Sequence, residues 1–223
     1  MSRRLPVFFR SRRLPVYVLL DTSGSMKGEP IQAVNVGVKV MVSALKQDPY
    51  CLEIVHLCLI TFDIEARDLV SLTPLEDISV PEITSPESGA TMLGSALELV
   101  IQRFETEVIR PTAERKGDWR PLLFVMTDGK PADIQAYRNA VLAVKRLNFG
   151  NIVACAAGPK AKQEFLRELT DTVVSLDTTG SAAFVAFFRW VSASISFVIR
   201  RSSAGATSPT VLPPPPAELI VPL

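Results

Sequence analysis

The chain alternates between two periods. Val16-Tyr17-Val18-Leu19-Leu20 is an unbroken apolar run, as expected of a strand covered on both faces. Behind it, Ile31, Val34, Val38, Val42 and Leu45 recur at helical spacing. Pro30 suits the first helical turn, and Asp48-Pro49 reads as the stop. The same alternation repeats along the chain. Strands are expected at 52–60, 69–72, 122–126, 152–157 and 173–176, with 69–72 the weakest. Helices are expected at 93–110, around Ile134 to Val144, around Phe165 to Leu169, and at 182–199. Strands separated by helices imply an α/β fold: a doubly wound, mostly parallel central sheet with helices on both faces.

Size and composition agree. Of 223 residues, 48% are hydrophobic and 21% charged, enough for one sizeable core and too ordinary for global disorder. The segment 73–90 is rich in proline and acids and reads as a long connection. Pro213 to Pro216 are consecutive, a polyproline pattern that cannot join a sheet. The expected organisation is a basic N-terminal extension at 1–13, one domain at 14–201, and a flexible Pro-rich tail at 202–223. Arg-Arg-Leu-Pro-Val occurs at both 3–7 and 12–16, and only the second copy runs into the first strand.

The formal charge of +1 conceals an asymmetry. Residues 1–13 hold five arginines, which leaves 19 of the 24 basic residues against all 23 acidic ones. A mildly acidic body argues against a phosphate-gripping nucleic-acid binder. The arginines read as a solvated lead-in. Cys51, Cys58 and Cys155 form no CxxC or Cys/His cluster, so free buried thiols in a reducing compartment are expected. Residues 182–199 are apolar but interrupted by Arg189, and read as a core helix with no membrane span. A signal peptide is not expected, because Arg10 breaks the first apolar run. These points together suggest a cytoplasmic protein.

The informative chemistry lies at strand ends. Asp21-Thr22-Ser23-Gly24-Ser25 follows the first strand directly, where open α/β sheets bind ligands. It offers one carboxylate and two hydroxyls on a tight turn. Two further loops could face it. Ser88-Gly89-Ala90-Thr91 brings the Thr91 hydroxyl, and Thr127-Asp128-Gly129 brings a second carboxylate. Each is an ordinary turn sequence on its own; the signal is the three together, in this order. Hard oxygen donors of this kind suit Mg²⁺, with Mn²⁺ or Ca²⁺ possible, and not zinc. Few charged ligands leave such a cation electron-poor, so that an Asp or Glu from a partner protein can complete its coordination.

Other chemistries fit less well. A Mg-dependent phosphohydrolase or phosphotransferase with Asp21 as nucleophile is the alternative. The haloacid-dehalogenase pattern wants a second Asp two residues on, where Ser23 stands. The only histidine, His56, lies within an expected strand, and neither a G-x-S-x-G elbow nor a Gly-rich phosphate loop occurs. No catalytic residue is assigned. Lys27 and Lys130 flank the loops.

The set Asp21-x-Ser23-x-Ser25, Thr91 and Asp128-Gly129 resembles the metal-ion-dependent adhesion site of von Willebrand factor A domains, over roughly residues 14–200. Leu14 to Met26, Gly28-Glu29-Pro30-Ile31 and Ser88 to Gly94 resemble the TerY-type proteins of bacterial tellurium-resistance clusters. The resemblance implies a divalent cation held directly by Ser23, Ser25 and Thr91. It implies that Asp21 and Asp128 act through water or change role with state. It further implies a non-enzymatic regulatory or scaffold module in a stress-response system, with kinase- or phosphatase-like partners.

Overall fold

The computed structural model describes residues 12–87, 89–159, 161–178, 180–203 and 211–216. Six strands form one sheet: β1 (Leu14–Asp21), β2 (Val55–Phe62), β3 (Ala66–Pro74), β4 (Leu122–Thr127), β5 (Asn151–Ala157) and β6 (Val173–Leu176). Their spatial order is β3-β2-β1-β4-β5-β6. All neighbours are parallel except β3, which runs antiparallel to β2 at one edge. The helices are α1 (Glu29–Gln47), α2 (Pro49–Ile54), α3 (Leu93–Glu107), α4 (Ile134–Arg146), α5 (Gln163–Leu169) and α6 (Ser181–Ser203). The doubly wound α/β reading is correct.

Period-two alternation in the central strand builds two cores. Val16, Val18 and Leu20 of β1 face the layer that contains α1 and α6. Tyr17 and Leu19 face the layer that contains α3 and α4. Each side is buried, which is why β1 has no polar residue before Asp21. The contact between α1 and α6 is close: a Cβ on Gly37 would overlap the Phe188 ring. By length and apolarity alone α6 could cross a membrane. Here Phe184, Phe187, Phe188, Val191 and Ile195 are instead packed into the first core.

Four expectations need correction. The second strand begins at Val55, not at Leu52. Asp48-Pro49 stops α1 but also starts α2, since the Asp48 carboxylate accepts the Tyr50 N–H at 3.0 Å and Pro49 sits in the first turn. Arg12 and Arg13 are not a solvated lead-in. The Arg13 guanidinium donates to both Asp118 oxygens at 2.9 and 2.7 Å, and Arg12 lies 4.0 Å from the Trp119 ring centre. The first Arg-Arg-Leu-Pro-Val copy falls outside the described residues.

The fourth concerns the C-terminal segment. Residues 202 and 203 continue α6. Residues 211–216 are not free of the body: the Trp190 indole N–H donates to the Pro213 carbonyl at 3.1 Å, and Leu212 packs against the first core. Leu219-Ile220-Val221 lies outside the described residues. The three thiols are free and buried, as expected.

Candidate metal centre

Sheet order decides where the site falls. The chain steps outward from β1 to β2 on one side and from β4 to β5 on the other. Loops leaving the carboxyl ends of β1 and β4 therefore diverge, and the gap between them is the natural ligand crevice. The register pairs Leu20 with Met126, so the next residues, Asp21 and Thr127, end their strands side by side.

Asp21 is fully buried. One of its oxygens accepts the Ser23 N–H at 2.8 Å, and the other accepts the Thr127 hydroxyl at 2.5 Å. This tie curls the chain into the one-turn 3₁₀ segment Gly24–Met26. The Ser23 and Ser25 hydroxyl oxygens stand 3.3 Å apart. The Ser25 hydroxyl donates to Asp128 Oδ1 at 2.8 Å, bridging the β1 and β4 loops. Thr91 faces the same place, since a Cβ on Gly129 would lie 3.0 Å from its Oγ1. All five anticipated residues thus belong to one constellation. Asp21, Ser23, Thr91 and Asp128 are buried, and Ser25 is exposed, which leaves one open side.

Burial is the largest influence on Asp21 and raises its pKa to about 6. The hydrogen bonds from Ser23 and Thr127 oppose this, and the nearby Asp128 charge adds to it. The carboxyl group is therefore held in an environment that lacks a compensating positive charge.

The donor set fits a small divalent cation. Oxygens held ~2.1 Å from a Mg²⁺-like ion in octahedral array stand roughly 3 Å from their neighbours. The Ser23–Ser25 and Ser25–Asp128 separations, 3.3 and 2.8 Å, bracket that spacing. Among the described residues no group of three or more His, Cys, Asp or Glu side chains could hold a metal. Here hydroxyls provide most of the oxygens, so the site would carry few ligand charges.

Sequence reading missed the residues that hold the constellation together. Thr127 enters the sequence reading only as the first residue of the loop after the strand at 122–126, yet it ends β4 and its hydroxyl fixes Asp21. Ser85, in the long connection, donates to the carbonyls of Thr22 and Ser23 at 3.0 and 2.9 Å and pins the first loop from behind. Asp133 accepts the Gly94 and Ser95 N–H groups at 3.0 and 2.9 Å. It thereby caps the start of α3, just after Thr91, from the neighbouring helix. The Ala132 N–H to Thr91 carbonyl bond, 2.9 Å, ties the same two loops again. Asp133 immediately precedes α4, and its side chain caps α3 instead of its own helix, so no pattern local to it marks the role. Ser88 lies outside the described residues. Lys27 is engaged with Glu87 in an exposed ion pair at 2.5 Å, and Lys130 is exposed. His56 is half-buried in β2, beside the Ile54 carbonyl and away from this edge.

A parallel-sheet α/β domain with an oxygen-rich cluster at its strand-order reversal defines a class of ligand-binding modules. Residues 16–186 match the family model of the von Willebrand factor type A domain, and the chain belongs to that family. Some of its members are metal-dependent adhesion or protein-interaction modules. No curated protein matches the chain by sequence.

Solved structures share the fold. A von Willebrand factor type A protein from Catenulispora acidiphila aligns with a TM-score of 0.63 at 19% identity, over 82% of this chain and 42% of that one. The PilB minor pilin from Streptococcus sanguinis aligns at 0.62 and 12% identity, over 85% and 62%. Proximal thread matrix protein 1 from the mussel byssus, in a structure whose adhesion-site motif is occupied by zinc, aligns at 0.52 and 13%, over 81% and 46%. The chain spans less than half the length of the mussel and Catenulispora proteins.

Proposed function

We propose that this chain is a metal-dependent protein-binding module. Ser23, Ser25 and Thr91 hold one divalent cation, Mg²⁺ by preference, while Asp21 and Asp128 balance its charge. A partner protein supplies an Asp or Glu at the open side. We further propose a TerY-type role, as a cytoplasmic regulatory or scaffold component of a bacterial tellurium-resistance or stress-response system with kinase- or phosphatase-like partners. That finer reading rests on the Leu14 to Met26 and Ser88 to Gly94 resemblance.

The supporting observation is the Ser25 bridge: an exposed hydroxyl, 3.3 Å from Ser23 and 2.8 Å from Asp128, at the mouth of an otherwise buried oxygen cluster. The cation supplies a positive centre that a carboxylate can complete. The chain's part is to hold the oxygens, keep water from Asp21, and present the open side. A binding role is favoured over phosphoryl transfer because both Asp21 oxygens are engaged, in a side chain with no exposed surface. Calorimetry with Mg²⁺ and Mn²⁺ tests the site: about one ion per chain, lost in Asp21→Ala and Ser23→Ala. Equal uptake by both variants would sink the assignment. Partner capture in Mg²⁺ against EDTA, with wild type, Thr91→Ala and Asp128→Ala, tests the role. Equal recovery in every lane would place the partner on another surface.

A further inference from the structure

The polyproline run has no part in the metal centre, yet the body holds it. Residues 211–216 lie against α6, anchored by two unlike contacts. Leu212 packs on the first core. The Trp190 indole, only 5% exposed, gives its N–H to the Pro213 carbonyl at 3.1 Å. Val211, Pro214 and Pro216 face solvent, while Leu212, Pro213 and Pro215 are half-buried. One edge of the segment therefore meets the body and the other remains open.

Each contact suits a run of consecutive prolines, a composition that favours the polyproline helix. A polyproline helix makes no internal hydrogen bonds, so its carbonyls are available to an outside donor. It loses little entropy on docking because it is already extended. Indole offers a flat apolar surface and a single N–H donor, and Trp190 is steadied by the Phe187 ring with centres 6.1 Å apart. A buried tryptophan usually finds a partner for its N–H. Here that partner comes from a segment 23 residues along the chain. Geometry permits the return. From Trp190 to the end of α6 is about 20 Å at ~1.5 Å per residue. The nine residues from 204 to 212 can span up to about 30 Å at ~3.3 Å each.

We infer that the Trp190 face of α6 is a docking site for a polyproline helix, filled in cis by the chain's own Leu212–Pro216. The tether makes the segment a ligand at an effective concentration in the millimolar range. An intact chain therefore shields the face from proline-rich segments in trans, and unseating the segment opens it.

The test uses the full chain labelled with ¹⁵N. Its two tryptophans give two indole N–H resonances, assigned with Trp119→Phe. In Leu212→Asp the Trp190 resonance moves toward that of a solvated indole, while the Trp119 resonance stays. A second full-length variant, with glycine replacing each proline from Pro213 to Pro216, keeps the leucine and loses the preformed extension; it shifts the same resonance. The hexapeptide Val-Leu-Pro-Pro-Pro-Pro is then titrated into either variant. It restores the wild-type position with half-saturation below the tether's millimolar effective concentration, and Val-Leu-Ala-Ala-Ala-Ala does not. An indole resonance unchanged in both variants overturns the inference, as does failure of the proline peptide to restore it. Equal restoration by the alanine peptide also overturns it, by showing that the face does not select polyproline.

Discussion

Asp21 should make the metal-free domain less stable than it need be, and removing its charge should reveal by how much. In the fold its pKa is raised to about 6 from 3.8, chiefly by burial. Below pH ~4 the carboxyl is protonated in both folded and unfolded chains and makes no difference. Between about 4 and 6 the unfolded chain releases its proton while the folded one keeps it, so stability falls as pH rises. Above about 6 both are ionised and the full penalty remains, on the order of 3 kcal/mol. Asn at 21 carries no charge. Its carbonyl can accept the Ser23 N–H, and its amide can donate to Thr127 Oγ1. The Thr127 hydroxyl then loses its acceptor, at a cost of about 1 kcal/mol.

The net gain for Asp21→Asn in EDTA at pH 8 is therefore about 2 kcal/mol, or a rise in Tm of roughly 4–8 °C for a domain of this size. At pH 4 the gain vanishes or turns slightly negative. Urea unfolding of both proteins at the two pH values measures this difference, and comparing the pair removes the contribution of other carboxylates. Saturating Mg²⁺ reverses the order at pH 8, because only the wild type gains about RT ln(1 + [L]/Kd). A difference between the two proteins that is independent of pH would refute the reasoning about burial. A variant less stable than wild type at pH 8 in EDTA would refute it as well.

Chelation of wild type should leave a cooperative unfolding transition, since the core surrounds the sheet and not the site; at 100 times Kd the cation adds only about 2.7 kcal/mol, and loss of the transition in EDTA would contradict this. Asp133→Ala should cost about 1–2 kcal/mol in chemical denaturation by freeing the Gly94 and Ser95 N–H groups, and should weaken Mn²⁺ uptake through Thr91, whereas unchanged uptake would make the cap purely structural. Burial raises all three thiols, Cys51 to about 11; native protein at pH 8 should resist a thiol reagent until denatured, and stability should decline above pH 9 as the unfolded chain's thiols ionise first.

What was legible in the sequence was whatever depends on near neighbours. Strand and helix periods, the Asp21-Ser23-Ser25 turn, and the placing of Thr91 and Asp128 after an apolar run or before a helix all come from short windows. Assembly of the loops is different. Thr127 meets Asp21 across 106 residues, and that pairing depends on β1 and β4 being neighbours with Leu20 opposite Met126. Nothing near Thr127 encodes it. Arg13 finds Asp118 across 105 residues, so its local context of arginines and an apolar strand resembled a solvated end.

Two prolines that look alike in sequence part ways in the fold. Pro49 after an acid was read as a stop, and its fixed φ does end α1, but that φ equally suits a first helical turn once Asp48 caps it. Local chemistry allowed both outcomes, and the apolar positions Cys51 and Ile54, buried in the first core, decided for a helix. Pro213 was read as part of a free tail because a polyproline segment forms no sheet. That remains true, and it is the reason its carbonyl is available to Trp190. A segment without internal hydrogen bonds is excluded from the sheet but is well suited to accept one from outside, and only the position of α6 determines which donor it meets.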